Sequence, residues 1–381
     1  MSTDEAMTVD LTTIPLIDHH CHPPNKRVVG EATAILATCC SESHDRTMLL
    51  QHVPHTLLFR RVLTDVAAWF HCAPTPEAIL QAHQQQALPD LLPALLDDQH
   101  IDLLLVDDGY PPTGYSSDEL SAACSGRVRR IVRLETLMEA LLPNSASFAH
   151  FIDAVLAAIQ QAYHRGAVAL KSIIAYRCGL AVAPPNRRQA AQAFQAEQLQ
   201  HATSPRLTRK ALLDFVLWHA LEFCAQHNVP CQLHSGFGDA DLDLLTANPL
   251  LLRPLLQHPG FRDLRLVLLH ASYPYIREAS YLASLYPQIY VGYSLAIPLA
   301  YAGMASILRM LLELAPSTKL LYGSDGHTLP ETYWWGARYG RAALAAVLDQ
   351  LSAEGLLHAE AAPGIASQLL YQNAQQLYHV G

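Results

Sequence analysis

At 381 residues the chain exceeds the usual domain size but lies within the range of α/β barrels with extended loops. Hydrophobic residues make up 51% and charged residues 15%, which excludes a disordered chain and supplies material for a large core. The formal charge of −9, without any run of Lys or Arg, excludes the clustered cations that nucleic-acid binding requires, so the expected partner is a small molecule.

The first residues, Met1 to Asp10, carry Asp4, Glu5 and Asp10 and read as neither a signal nor a transit peptide. No apolar run approaches the roughly 18 residues of a membrane span, so no membrane partner is expected and the predicted compartment is the cytoplasm. The eight cysteines show no paired CxxC spacing and read as reduced thiols.

Short runs rich in Val, Ile and Leu, each followed by a helical pattern, predict eight strands. They lie near Ile14–Asp18, Ile101–Val106, Val128–Leu134, Val168–Ile173, Val229–Leu233, Leu264–Leu269, Ile289–Gly292 and Lys319–Tyr322. Several lack polar alternation, as parallel strands buried on both faces do. Between them, Phe151–His164 and Leu212–Gln226 carry apolar stripes at helical spacing. The pattern predicts an α/β fold, a (β/α)₈ TIM barrel forming a single domain over residues 1–381, with helical insertions after strands 1 (about residues 30–100) and 4 (Pro184 to Arg209). The rival, a doubly wound open sheet, usually places a Gly-rich phosphate loop after its first strand, and here Asp18-His19-His20-Cys21-His22 stands in that place. A terminal helix over Pro363–Tyr378 is expected to pack on the barrel through Ile365, Leu369, Leu370 and Leu377.

The chemistry is expected where strands end. Residues two apart on an extended chain point to the same side, so His20 and His22 can face one cation, with Asp18 orienting a ring or capping the strand. In a chain with twenty histidines the pair could equally be loop decoration. Against that, Lys171, His234, His270 and Asp325 each finish another apolar strand, and in a barrel such ends converge on the rim that carries active sites.

This pattern resembles the amidohydrolase superfamily, in particular its amidohydrolase 2 branch: an HxH on the first strand, histidines after strands five and six, and an aspartate after strand eight. The phrases Ala169-Leu-Lys-Ser-Ile-Ile-Ala-Tyr-Arg-Cys-Gly-Leu180, His234-Ser-Gly-Phe-Gly-Asp239, Leu269-His-Ala-Ser-Tyr-Pro274 and Leu321-Tyr-Gly-Ser-Asp-Gly326 are similar, more narrowly, to the amidohydrolase-like part of nodulin/glutamine-synthetase fusion proteins. The resemblance implies that His20, His22, His234 and Asp325 hold a divalent metal, zinc by ligand type, with manganese or iron as alternatives. His270 would complete a second site or shuttle protons, and Asp325 would act as the catalytic proton acceptor. Lys171 would be either a carboxylated ligand bridging two metals or an unmodified ammonium paired with Asp107, Asp108 or substrate, and the single-metal form is favoured.

Arg177 is the candidate for capture of a substrate carboxylate, with Tyr273 and Asp239 as further substrate-binding candidates. Asp107, Asp108, Glu135, Glu331, Trp334 and Trp335 read as rim residues that either brace loops or line a pocket. The expected reaction is hydrolysis of an amide C–N bond by metal-activated water, with a γ-glutamyl amide fitting the narrower resemblance. The alternatives are a decarboxylase of the same branch and a catalytically silent metal-binding protein. Homo-oligomerisation is left open.

Overall fold

A computed structural model describes residues 10–200 and 206–381. The acidic start of the chain, up to residue 9, and the part of the second long segment at residues 201–205 lie outside the described residues.

Eight parallel strands run in chain order around one sheet: β1 Leu16–Cys21, β2 Ile101–Asp107, β3 Val128–Arg133, β4 Ala169–Ser172, β5 Cys231–Leu233, β6 Leu266–Leu268, β7 Ile289–Gly292 and β8 Leu320–Leu321. The backbone N–H of His19 donates to the Tyr322 carbonyl (3.1 Å), that of Asp325 to His20 (3.0 Å) and that of His22 to Gly326 (2.7 Å), which bring the end of β8 against β1. The fold is a (β/α)₈ TIM barrel, as expected. Strand positions follow the apolar runs closely, with one consequential shift: β1 starts two residues later than predicted and runs through His19 and His20 to Cys21. His20 is therefore held by the ladder itself, with a register irregularity between Asp18 and Cys21 that lets His20 and the residues around it turn into the barrel.

Between β1 and β2 stand the helices Ala32–Thr38, Leu57–Phe70, Pro76–Gln84 and Leu88–Asp98. Local chemistry starts two of them: Thr56 Oγ1 accepts from the Phe59 N–H and Thr75 Oγ1 from the Ala78 N–H, and Pro76 occupies the first helical position, where no donor is missed. After β4 come the helices Arg187–Gln200 and Lys210–His227. The interior of the barrel is filled by Ile17, Leu103, Ile131, Val267, Leu269 and Leu321, and its lower end is closed by Leu377, Tyr378 and Val380 from the C-terminus. The expected terminal helix is interrupted by a wider turn at Gln368–Gln372, which turns Leu369 and Leu370 fully inward, whereas Ile365 stays half-buried.

Polar atoms also enter the barrel. Gln232 Nε2 donates to the His19 carbonyl (2.8 Å) and to Tyr378 Oη (2.9 Å), and the His19 ring lies 3.1 Å from the same hydroxyl. Room for that ring comes from Gly292, where a Cβ would fall 2.1 Å from His19 Nε2.

Candidate metal centre and its cavity

Three donors from the two ends of the sheet's sequence order meet at the upper rim. Asp325 Oδ1 lies 3.0 Å from His20 Nε2 and 3.6 Å from His22 Nε2. Donor atoms of these three side chains fit within 4.8 Å of one another, and all three residues are buried. Next to them His270 Nε2 approaches His234 Nδ1 at 2.9 Å, and the His20 and His270 ring centroids are 5.7 Å apart. Lys171 Nζ stands 2.9 Å from His20 Nε2 and 3.4 Å from Asp107 Oδ2. All six strand-end candidates are thus gathered at one place, with His234 and His270 adjoining the tight set.

Backbone conformation does part of the positioning. Asp325 has φ of 55°, and His270, Ala271 and Ser272 take 63°, 51° and 50° in succession. Left-handed backbone at residues other than glycine costs roughly 1–2 kcal/mol each and persists where surrounding structure enforces it, often at functional sites. The packing that enforces it is visible at Gly236 (φ 76°), where a Cβ would lie 2.3 Å from the Ser272 carbonyl carbon.

Hydrogen bonds orient the rings. His22 Nδ1 is 3.1 Å from the Asp107 carbonyl, so it donates there and Nε2 keeps a free lone pair toward Asp325. His234 Nε2 is likewise 3.0 Å from the Phe237 carbonyl, so it donates there and Nδ1 faces His270 Nε2 on the inner side. Burial, with the Lys171 charge second, pushes His20 down to about 3, and burial also holds His234 and His270 well below the usual histidine range, so these rings are neutral donors. For Asp325, burial acts to raise the pKa, but His270 and the adjacent His20 and His22 rings outweigh it and hold the carboxyl well below its ordinary value. Burial lowers Lys171 to about 8 against the opposing charge of Asp107.

Neutral nitrogens, an ionised oxygen and a water-poor setting are what a divalent cation of the zinc type takes. The structure carries a direct sign of fit: Asp325 Oδ1 is buried and makes no well-formed hydrogen bond, although two imidazoles face it. Such an orphaned carboxylate oxygen is costly without a cation partner.

The cavity above these residues encloses about 910 Å³, its open mouth included. Of the substrate-binding candidates, Arg177 and Asp239 line it. Tyr273 does not: its ring packs on Phe237 at 5.0 Å between centroids and faces a separate groove with Leu57 and Tyr301, because the left-handed turn at residues 270–272 carries the chain away from the centre. Asp18 orients no ring. It accepts from Ser324 N–H (2.9 Å) and Ser324 Oγ (2.5 Å), tying β1 to the end of β8. Glu135 accepts from Ser172 Oγ and the Ile173 N–H, Asp108 from Arg130 and Ser117, and Glu331 pairs with His83, so these carboxylates brace loops. Trp334 donates to Asp98 and Trp335 is buried packing.

Residues missed in the sequence also line the cavity: Glu42, Tyr110, Arg133, Tyr176, Arg206 and His327. Arg133 grips Asp107 with Nε at 2.9 Å and Nη2 at 2.6 Å from the same oxygen. It continues the inward face of β3 two residues after Ile131, a spacing readable in the sequence. Glu42, in the loop after Ala32–Thr38, had no such signal.

Comparison with known proteins fits this architecture. A family model described as Amidohydrolase matches residues 129–380. Protein fluG of Emericella nidulans is 30% identical over an alignment of 428 residues that takes in 100% of this chain and 47% of that protein, so the chain spans about half the length of this relative. A crystal structure of a Lactobacillus casei protein described as a metal-dependent hydrolase superimposes with a TM-score of 0.87 at 33% identity, covering 97% of this chain and 96% of that one. A uronate isomerase of Thermotoga maritima shares the fold, with a TM-score of 0.67 at 15% identity over 96% of this chain and 95% of that one. Among the described residues no helix is long and apolar enough to cross a membrane. With two thirds of its length matched by the family model and its strand-end residues gathered on one rim, this chain belongs to the amidohydrolase family.

Proposed function

We propose that this protein is a metal-dependent hydrolase that cleaves the amide C–N bond of a small carboxylate-bearing substrate, γ-glutamyl amides included. The observation that carries the reading is the buried convergence of His20, His22 and Asp325 on one point, with Asp325 Oδ1 lacking a hydrogen bond. His234 would be a further ligand. A bound divalent cation, zinc by donor type with manganese or iron as alternatives, would supply Lewis acidity toward the scissile carbonyl and toward water.

The chain's own groups account for the rest. Asp325, ionised in its buried position, takes the proton of the attacking water and returns it to the leaving nitrogen. His270, fixed between His234 and Ser294 Oγ (3.1 Å), orients the reacting groups as a neutral imidazole. Lys171 acts as an unmodified ammonium beside Asp107, in a single-metal site. Arg177, which lines the cavity with Nη2 held by Glu139, offers its guanidinium to the substrate carboxylate.

The test is to assay metal-replete protein against a panel of carboxylate-bearing amides, reading amine or ammonia release. Asp325→Asn is expected to keep the fold and to lower kcat by a factor on the order of 10² or more, the scale of a general acid–base contribution. Carbon dioxide release from carboxylic acids, without amide cleavage, would move the chain to the decarboxylases instead.

A further inference from the structure

The Arg133 guanidinium is fixed on three sides. In its plane, Nε and Nη2 donate to Asp107 Oδ2 at 2.9 and 2.6 Å. Over its face lies the Tyr110 ring, whose centroid is 5.6 Å from the guanidinium carbon. Along its stem runs Gly109, where a Cβ would fall 2.7 Å from Arg133 Cβ. The turn Asp107-Asp108-Gly109-Tyr110 therefore closes around this side chain because residue 109 carries none of its own. One end is left over. Nη1 reaches no acceptor among the described residues and keeps accessible surface, and Arg133 lines the cavity.

This guanidinium borders the candidate centre. The Tyr110 ring that covers it meets the His22 ring edge-on, with centroids 5.8 Å apart. Asp107 Oδ2, which takes its two N–H groups, also faces Lys171 Nζ at 3.4 Å, and that ammonium is 2.9 Å from His20 Nε2. Other cations of the cavity are placed differently: Lys171 is buried between His20 and Asp107, and Arg206 pairs with Asp241 half out in solvent. A planar fork held rigidly, with one donor end open beside the reacting centre, suits an oxygen that becomes negatively charged, because little freedom is lost in meeting it.

We infer that Arg133 is a catalytic residue whose free Nη1 receives the oxygen of the scissile carbonyl and holds it most tightly once that oxygen is negative. The assignment rests on the amide hydrolysis of the proposed function and names the side chain that meets its oxygen. Attack of water on the carbonyl carbon moves the C=O π pair onto that oxygen while Asp325 takes a proton. Collapse re-forms the double bond and breaks the C–N bond. Its electron pair leaves on nitrogen, which takes the proton back from Asp325, and the acid product ionises. The oxygen is neutral in the amide and charged in the tetrahedral intermediate, and a charge-assisted hydrogen bond is roughly twice as strong as a neutral one, so Arg133 favours the intermediate over the substrate.

The test uses the metal-loaded full chain with γ-glutamyl-p-nitroanilide as substrate, and with 4-phosphonobutanoate, whose tetrahedral anionic head copies the intermediate, as inhibitor and as calorimetric ligand. Arg133→Lys keeps a cation beside Asp107 but withdraws the fork. It is expected to lower kcat by at least about 10-fold with KM within about 3-fold, and to weaken phosphonate binding by the factor lost in kcat/KM. Tyr110→Leu uncovers the guanidinium and leaves the Asp107 contacts in place. It is expected to shift the same two quantities together by about 3-fold, and it decides the matter should the lysine variant lose its fold or its metal. A change in KM alone, no change, or a loss of kcat with phosphonate binding intact, as bracing of Asp107 alone would give, overturns the inference and leaves the hydrolase reading standing. Metal-loaded wild type that cleaves no amide overturns both.

Discussion

Arg133→Met isolates the buried charge pair under the candidate centre. Arg133 and Asp107 are 9% and 0% exposed, and the guanidinium makes two contacts to Asp107 Oδ2. Removing one partner of such a pair costs about 3–5 kcal/mol, because the remaining charge is stranded out of water. Here Lys171, 3.4 Å from the same oxygen, takes up part of the deficit, so the expected loss is at the low end, about 3 kcal/mol. With a urea slope of about 3 kcal/mol per molar, the unfolding midpoint of metal-free protein should fall by about 1 M. In an Asp107→Asn background the sign of the argument changes: Arg133 then lies buried near Lys171 without an anion, and Arg133→Met should cost less than about 1 kcal/mol, a coupling of about 2 kcal/mol. The Asp107 backbone carbonyl that orients His22 is kept in every variant. A single-variant cost below about 1 kcal/mol, or costs that simply add in the double variant, would refute the reasoning.

Two further perturbations probe the scaffold. Tyr378→Phe removes the hydroxyl that receives Gln232 Nε2 and contacts His19 inside the barrel, leaving buried polar groups unmatched at a cost of about 1–3 kcal/mol by urea unfolding, whereas an unchanged midpoint would show that the plug is held by apolar packing alone. At His83, burial acts to lower the pKa, but the 2.7 Å hydrogen bond and the charge of Glu331 outweigh it and leave the ring above 6.5. A raised folded-state pKa stabilises fully below the unfolded value and is lost as pH rises through the folded one. Wild type should therefore lose stability relative to His83→Gln as pH rises above the ordinary histidine range, and parallel urea midpoints for the two on that rise would contradict this.

The barrel was legible because buried parallel strands read as uninterrupted apolar runs, and β7 was bounded to the residue as Ile289–Gly292. Strand β8 is only two residues long, and what defines its end is the Asp18–Ser324 contact and the hydrogen bonds to β1, which are tertiary. The strand-end His, Lys and Asp residues were legible for the same reason as the strands, since their place is fixed by where a run stops. Arg133 hid in plain sight at the end of its run, because a charged strand residue is usually read as outward-facing. Glu42 and His327 belong to loops whose path is set by packing against other loops, and Tyr273 misled because a left-handed turn reverses the direction that its proximity to His270 suggested.

The central claim is that His20, His22 and Asp325 converge on a divalent cation. Elemental analysis of purified protein, with His20→Ala and Lys171→Ala alongside wild type, tests it most directly. The account predicts about one metal per chain, lost in His20→Ala and kept in Lys171→Ala, as a site of two imidazoles and one carboxylate, with His234 as the proposed further ligand, requires. Wild-type protein that holds no metal under replete conditions would contradict it, and two metals that both depend on Lys171 would contradict the single-metal form.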